Sequence, residues 1–117
     1  MIRNKTGVWG EIYTARYLRD NKYKIITTNY VCRFGEADII AQKDGKLCFV
    51  EVKTRDISSK QRPAEAVDEY KQKRLQLTAG NFTSYTKQEG DIRFDVAEVW
   101  LDKSNKMVKI NYIENAF

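Results

Sequence analysis

The sequence contains no histidine, and this absence narrows the chemistry open to the protein. Serine–histidine and cysteine–histidine nucleophiles, imidazole bases and histidine-ligated zinc are excluded in their familiar forms. Any acid, base or metal-binding chemistry must therefore use carboxylates and lysines.

Cysteine and long apolar runs are scarce as well. Cys32 and Cys48 form no C-x-x-C and are too few for a disulfide scaffold or a structural zinc site, so we expect Cys48 in the core and Cys32 in a loop. No apolar run approaches the roughly 20 residues of a membrane helix, and the N-terminus lacks the apolar core of a signal peptide. We therefore expect a cytoplasmic protein without membrane association.

The sequence is short and has more basic than acidic residues. Its 117 residues fit a single domain, 1–117, and 21 Lys and Arg against 16 Asp and Glu give a net charge of +5. A basic balance favours a polyanionic partner such as nucleic acid, although charge alone does not decide this.

Hydrophobic periodicity and turn signals predict the order α-β-β-β-α-β-β. The Asp-Gly at 44–45 is a strong two-residue hairpin turn, and the only proline, Pro63, suits the first turn of a helix. This order predicts an α/β fold with a mixed central sheet flanked by helices. The predicted helices are 5–20 and 63 to about 85, the predicted strands are 23–30, 37–42, 46–54, 91–101 and 107–114, and 55–62 is a polar loop.

Two acids and a lysine lie inside the predicted hairpin, where such residues are rare. If residues 44–45 form the turn, Asp38 lies opposite Glu51, and alternation places Lys53 on the same face as Glu51. If the two strands still pair at that point, and the sheet does not end before it, Glu36 lies opposite Lys53. Opposed carboxylates repel each other, and two hard oxygen ligands at one point suit Mg²⁺ or Mn²⁺.

The first helix adds a third acid. At 100° per residue, Glu11 lies within the apolar stripe that the helix presents to the core. Its other interpretation is a boundary residue that extends to solvent or caps a neighbour. The residues that define the stripe are Val8, Ile12, Ala15 and Leu18.

The second helix carries Lys71 and Arg74 within its apolar stripe. We expect both to reach phosphate, together with Arg33 and Arg55 beside the hairpin. Alternatively, their aliphatic stems cover the stripe while the charged groups stay in water. The stripe is predicted from Val67, Tyr70, Phe82 and Tyr85.

The pattern resembles the PD-(D/E)XK nuclease superfamily, which places an acid on a helix, an Asp on one strand and Glu-x-Lys on the next. Here these are Glu11, Asp38 and the EVK at 51–53, while a second Glu-x-Lys, EYK at 69–71, shows that the tripeptide alone is not specific. Ala37 replaces the proline of the superfamily motif, but that proline supplies no ligand.

The closer resemblance is to the YraN-like family of predicted nucleases, which is similar in fold to Holliday-junction resolvases. Four blocks carry it, namely GEIYTARYL, GEADIIAQKDGKLCFVEVKTR, AVDEYKQKRL and RFDVAEV. The resemblance implies a restriction-endonuclease-like fold and Mg²⁺- or Mn²⁺-dependent hydrolysis of DNA, in branched or repair and recombination intermediates. Cleavage of a symmetric junction would require a homodimer.

The resemblance also implies roles for the charged residues. Asp38 and Glu51 would hold the metal ion, and Lys53 would act on the attacking water as a base or on the phosphate as a cation. Glu11 would bind a second metal ion or a metal-bound water, and Glu36 would support Lys53.

Two other interpretations remain open at this stage. In the first, the chain is a nucleic-acid-binding module on a nuclease fold without turnover. In the second, it is an interaction domain in which Asp38, Glu51 and Lys53 form a structural ion cluster. Metal-dependent cleavage distinguishes the first from a nuclease, and salt-dependent binding of DNA distinguishes the second.

Overall fold

The structure, a computed structural model, describes residues 5–58 and 67–117. Within these residues the secondary structure follows the predicted order. The elements are α1 (Lys5–Asp20), β1 (Lys24–Cys32), β2 (Gly35–Lys43), β3 (Lys46–Asp56), α2 (Glu69–Tyr85), β4 (Asp91–Leu101) and β5 (Met107–Ile113).

The five strands form one mixed sheet in the order β1-β2-β3-β4-β5. β3 and β4 are parallel, and the other neighbouring pairs are antiparallel. The parallel pair requires a crossover, which contains α2. This mixed sheet with two helices confirms the predicted α/β class and is consistent with a restriction-endonuclease-like fold.

The two helices cover opposite faces of the sheet, and each face has its own apolar cluster. On the α1 face, Leu18 packs with Cys48 and Val50 of β3. On the α2 face, Phe82 packs with Leu47 and Phe49 of the same strand. The predicted alternation along β3 is therefore confirmed, and both faces of the central strands are buried.

The β2–β3 hairpin has the predicted turn, and its register follows the prediction from the turn as far as Ile39–Val50, one step before the predicted pair of Asp38 with Glu51. Asp44 and Gly45 have φ values of 51° and 74°, the positive angles of a type I′ turn, which matches the twist of the flanking strands. The ladder then pairs Gln42 with Leu47 and Ile40 with Phe49, as the sequence predicts.

The predicted start of the second helix is wrong. Asp68 has extended backbone angles, and its carboxylate accepts a hydrogen bond from the Lys71 backbone N–H at 2.8 Å. An Asp N-cap satisfies a free helix donor, so α2 begins at Glu69. Pro63 lies outside the described residues. The predicted loop also starts too early, because Arg55 and Asp56 continue β3.

The predicted apolar stripes are correct only in part. Ile12 of α1 is exposed, and the buried face passes instead through Gly10, Thr14 and Leu18. Small residues on this face allow the helix to lie close to β3. In α2, Tyr70 and Tyr85 are exposed, and the buried residues are Leu75, Thr78, Ala79 and Phe82.

The cysteines are free, and Cys48 is buried as expected. Burial raises the pKa of the Cys48 thiol to about 11. Cys32 ends β1 instead of lying in a loop, with its thiol 3.8 Å from Oγ1 of Thr78 on α2. In the described part of the chain, no helix is long and apolar enough to cross a membrane.

Candidate active site

The candidate active site lies where β2 and β3 stop pairing. Their ladder runs from Lys43–Lys46 at the turn to Ile39–Val50, one step short of Asp38 and Glu51. At the next step Oδ2 of Asp38 accepts a hydrogen bond from the Val52 backbone N–H at 2.8 Å. The carboxylate thus takes the place of a backbone acceptor and is held at the point where the ladder ends.

Asp38 lies in a negative environment. Burial raises the pKa of its carboxyl to about 7, and the nearby Glu51 carboxylate adds to the increase. The hydrogen bond from Val52 opposes this rise, and Glu11 and Glu36 reinforce it. The structure therefore brings all four predicted acids into one electrostatic neighbourhood from α1, β2 and β3. Holding carboxylates together in this way is unfavourable without a bound cation.

Glu51 has a cationic partner on α2. Lys71 Nζ lies 3.0 Å from Glu51 Oε1, and these two residues line a groove of about 220 Å³ together with Glu36 and Arg74. Lys71 precedes the buried Leu75 by one helical turn, so it continues the helix face that packs on the sheet. The predicted contact of Lys71 and Arg74 with phosphate stays a prediction, and both residues line this groove beside Glu51.

Lys53 lies beside β4 in the sheet. The β2–β3 ladder ends at Ile39–Val50, before the point at which Glu36 would pair with Lys53, and Glu36 pairs with Val31 of β1. Instead, Lys53 is in register with Glu98 on the parallel strand β4. Paired residues of neighbouring strands point to the same face, so the two side chains share a face of the sheet.

Glu11 is positioned by the close packing of α1 on β3. A Cβ at the preceding residue, Gly10, would overlap Oγ1 of Thr54 and lie 3.3 Å from Cγ1 of Val52. Glu11 is half-buried and lines a groove between α1 and β1 that also contains Arg16. The helix thus places this acid at the α1 side of the ladder end.

The four predicted phosphate-binding residues do not lie together. Lys71 and Arg74 line the groove beside Glu51, and Arg33 is exposed on the β1–β2 turn next to it. Arg55 is half-buried in β3, in register with Trp100 of β4. Arg33, Lys71 and Arg74 therefore line grooves beside α2, whereas Arg55 lies within strand β3 and lines neither groove.

The described residues contain no group of three or more Asp, Glu, Cys or His side chains placed to hold a metal ion. Asp38 and Glu51 alone therefore do not fit a metal cage made entirely of protein ligands. They do fit the usual mode of Mg²⁺, which takes one or two carboxylates and completes its shell with water and substrate phosphate. The crowding of acids around Asp38 supports such a site.

Sequence reasoning missed two buried acids of β4, Asp95 and Glu98. Both interrupt an apolar strand, which is the same signal that identified Asp38. Asp95 is structural, since it accepts hydrogen bonds from Arg93 at 2.8 Å and from the Tyr112 hydroxyl at 2.6 Å. Glu98 instead shares the face of Lys53 and accepts a hydrogen bond from Asn111 at 3.1 Å.

Comparisons with known proteins place these residues in a family context. The family model described as "Uncharacterised protein family UPF0102" matches residues 10–99, which include the ladder end and Glu98. A UPF0102 protein of Caldicellulosiruptor bescii is 39% identical over 119 residues, covering 100% of both chains. One from Alkaliphilus metalliredigens is 45% identical over 115 residues, covering 95% of this chain and 96% of its own. One from Dictyoglomus thermophilum is 41% identical, again with 100% of each chain covered.

Proposed function

We propose that this chain, which belongs to the family UPF0102, the YraN-like group, is a metal-dependent nuclease that hydrolyses phosphodiester bonds in DNA. The observation that carries the proposal is the position of Asp38. Its carboxyl is held beside Glu51 at the end of the β2–β3 ladder, where burial and neighbouring acids raise its pKa to about 7. Perturbed carboxyl groups of this kind concentrate at functional sites.

The surroundings of this pair suit a phosphate ester. Lys71 and Arg74 line the adjacent groove and supply positive charge for the phosphate backbone. A hard divalent ion bound by Asp38 and Glu51 would supply neutralisation of the charge that develops on the phosphate. The Val52 N–H binds Oδ2 of Asp38, and we assign the other oxygen, Oδ1, to the metal ion.

Lys53 has a separate role in the proposal. It lies two residues after Glu51 on the same strand, so both side chains project from the same face of the sheet. Glu98 of β4 is in register with Lys53 and shares its face of the sheet. We assign Lys53 to the phosphate, as a cation that stabilises the transition state. Glu11 approaches from α1 and orients water at the site.

The test is a cleavage screen with labelled linear, flapped, four-way and single-stranded DNA, with Mg²⁺, with Mn²⁺ and with a chelator. The wild type should cut only with metal. Lys53→Ala and Asp38→Asn should reduce cleavage by about 100-fold or more while DNA binding changes little. Lys46→Ala and Asp44→Asn at the hairpin turn are matched controls and should retain activity.

One observation favours a second candidate function. The Lys71–Glu51 ion pair neutralises Glu51 without a metal ion, which would also suit a nucleic-acid-binding module that does not turn over. Such a module would bind DNA with a steep salt dependence and leave every substrate of the screen intact. Metal-dependent cleavage that requires Lys53 excludes it.

A further inference from the structure

Two grooves run together along the side of α2 that faces the β1–β2 turn. The first is the groove beside Glu51, and the second, of about 550 Å³, includes Arg33, Phe34 and Tyr85 in its lining. The chain at the β1–β2 turn borders both grooves. Arg33 and Phe34 line the second groove, and the next two residues, Gly35 and Glu36, line the first. We call the two grooves together the α2 trough.

The α2 trough exposes apolar and aromatic surface. Tyr70, Leu77 and Tyr85 are 69%, 40% and 82% exposed. Their spacings of seven and eight residues are close to two helical turns each, so all three lie along one side of α2. Single exposed apolar residues are ordinary, but a row of them beside a groove marks an interaction site.

Positive charge is stacked on the rings of the same trough. The guanidinium carbon of Arg74 lies 5.3 Å from the centre of the Tyr70 ring, and that of Arg33 lies 4.7 Å from the centre of the Phe34 ring. The lining of the second groove contains no acid. The acids of the first groove, Glu36 and Glu51, belong to the candidate active site. Flat rings with guanidinium groups, continuing into a groove without carboxylates, suit a polyanion that carries planar groups.

Unpaired nucleotides are such a polyanion. Proteins hold single strands by stacking bases on aromatic rings and by placing cations along the backbone. A duplex hides the faces of its bases, so the exposed rings of Tyr70 and Tyr85 would contribute little to duplex binding. With its 17 residues, α2 extends about 25 Å, which is room for several nucleotides.

We propose that the α2 trough binds a single-stranded segment of nucleic acid that leads away from the candidate active site. Bases stack on Tyr85 and Phe34, and Arg33 and Arg74 contact the phosphates. The inference rests on the proposed action on DNA, and it identifies the preferred substrate as a duplex or junction that carries an unpaired arm. Binding and cleavage are separate measurements, so the two proposals can fail separately.

The experiment compares the affinity of the full chain for a blunt duplex and for the same duplex with a single-stranded tail of about ten nucleotides. Fluorescence anisotropy without divalent metal prevents cleavage during the measurement. Wild type should prefer the tailed duplex. Tyr85→Ala should weaken tailed-duplex binding by about fivefold to a hundredfold, the range for loss of one stacked base, and Tyr85→Phe should restore it.

Trp9→Ala removes an exposed aromatic residue of α1 outside the trough and serves as the matched control. Salt gives an independent readout, because stacking and phosphate contacts respond differently. Arg33→Gln should reduce the slope of log affinity against log salt by about one, while Tyr85→Ala should leave that slope unchanged.

Equal affinity of the wild type for blunt and tailed duplexes, with no effect of Tyr85→Ala, would overturn the inference and leave the nuclease proposal standing. A Tyr85-dependent preference for the tail without cleavage of any substrate would support the trough and overturn the nuclease. Failure to bind any DNA would overturn both, and the trough would then be assigned to a protein partner.

Discussion

Lys71 of α2 and Glu51 of β3 form an ion pair across the candidate active site, with 3.0 Å between Nζ and Oε1. The hydrogen bond to Glu51 raises the pKa of Lys71 above its ordinary value, so this cation stays charged at neutral pH. The ammonium occupies a carboxylate oxygen that the proposed metal site requires. Lys71 and a divalent ion therefore compete for Glu51, and a bound ion would release Lys71 to a phosphate.

Replacing Lys71 should have opposite effects on the two ligands. Lys71→Met removes the competing cation, and we expect Mn²⁺ affinity to increase about two- to fivefold, the scale of an exposed ion pair. The same change should weaken DNA binding and reduce its salt slope by about one. Calorimetry with Mn²⁺ and anisotropy with DNA measure the two effects. Lys73→Met, an exposed lysine of the same helix, should not increase Mn²⁺ affinity.

Asp38→Asn should stabilise the metal-free protein while it abolishes cleavage. Asparagine keeps an oxygen that can accept the Val52 hydrogen bond, but it removes the repulsion from Glu51. We expect the free energy of unfolding to increase by about 1 to 3 kcal/mol in urea denaturation without metal. Asp44→Asn at the exposed turn should change it little, since Asn-Gly also forms this turn. A decrease in the free energy of unfolding would contradict the inference that the Asp38 carboxylate lowers the stability of the metal-free protein.

The pH dependence of stability should follow from the same carboxyl. The folded pKa of Asp38 is about 7, against an ordinary value of 3.8, so the folded state holds a proton through this interval that the unfolded chain has lost. Stability from this group is therefore full below pH 4 and is lost as the pH rises towards 7. The stability difference between Asp38→Asn and wild type should accordingly grow from pH 5 to pH 8. A constant difference would show that Asp38 is already ionised at pH 5 in the fold.

Two glycines of α1 test the packing that positions Glu11. A methyl group at Gly10 would overlap Thr54, whereas a Cβ at Gly7 meets nothing within 4 Å. Gly7→Ala should stabilise the protein by about 0.5 to 1 kcal/mol, the helix propensity gain. Gly10→Ala should destabilise it by about 1 to 3 kcal/mol and reduce cleavage, because α1 must move away from β3. Thermal melts of the two variants give the comparison directly, and equal gains would mean that α1 does not approach β3 closely.

The sequence predicts the hairpin that builds the site because its determinants are local. An Asp-Gly turn and a two-residue alternation fix the register from Ile40–Phe49 to the turn without reference to the rest of the chain. The end of the ladder is not local. Beyond Ile39–Val50, β2 continues to pair with β1 but no longer pairs with β3, so the pairing of Glu36 with Lys53 could not be judged from the hairpin alone.

The helix faces were harder to predict for a related reason. A stripe of large apolar residues normally identifies the buried face, but α1 packs through Gly10 and Thr14, which carry little hydrophobic signal. In α2, Tyr70 and Tyr85 are apolar enough to suggest a core, yet both are exposed. Neighbouring strands likewise decide which charged residues meet, and the pairing of Glu98 with Lys53 depends on the parallel register of β3 and β4, which no local pattern specifies.

Glu98 should act on cleavage through Lys53. It is fully buried, in register with Lys53 on the same face, and its Oε1 is fixed by Asn111 at 3.1 Å. We expect Glu98→Gln to lower kcat by about tenfold to a hundredfold with little change in KM, because a misplaced ammonium no longer meets the transition state. A melting curve establishes that the variant is folded.

A double-mutant cycle separates this positioning role from a structural one. If Glu98 acts by placing Lys53, then Glu98→Gln should cost nothing further in a Lys53→Ala background, where no ammonium remains to be placed. A purely structural contribution would instead reduce the residual rate by the same factor in both backgrounds. Asn111→Ala removes the donor to Glu98 without a change of charge, and it should reproduce a smaller part of the same non-additive effect. Because both residues project from paired positions of β3 and β4, coupling between them follows from the parallel register itself.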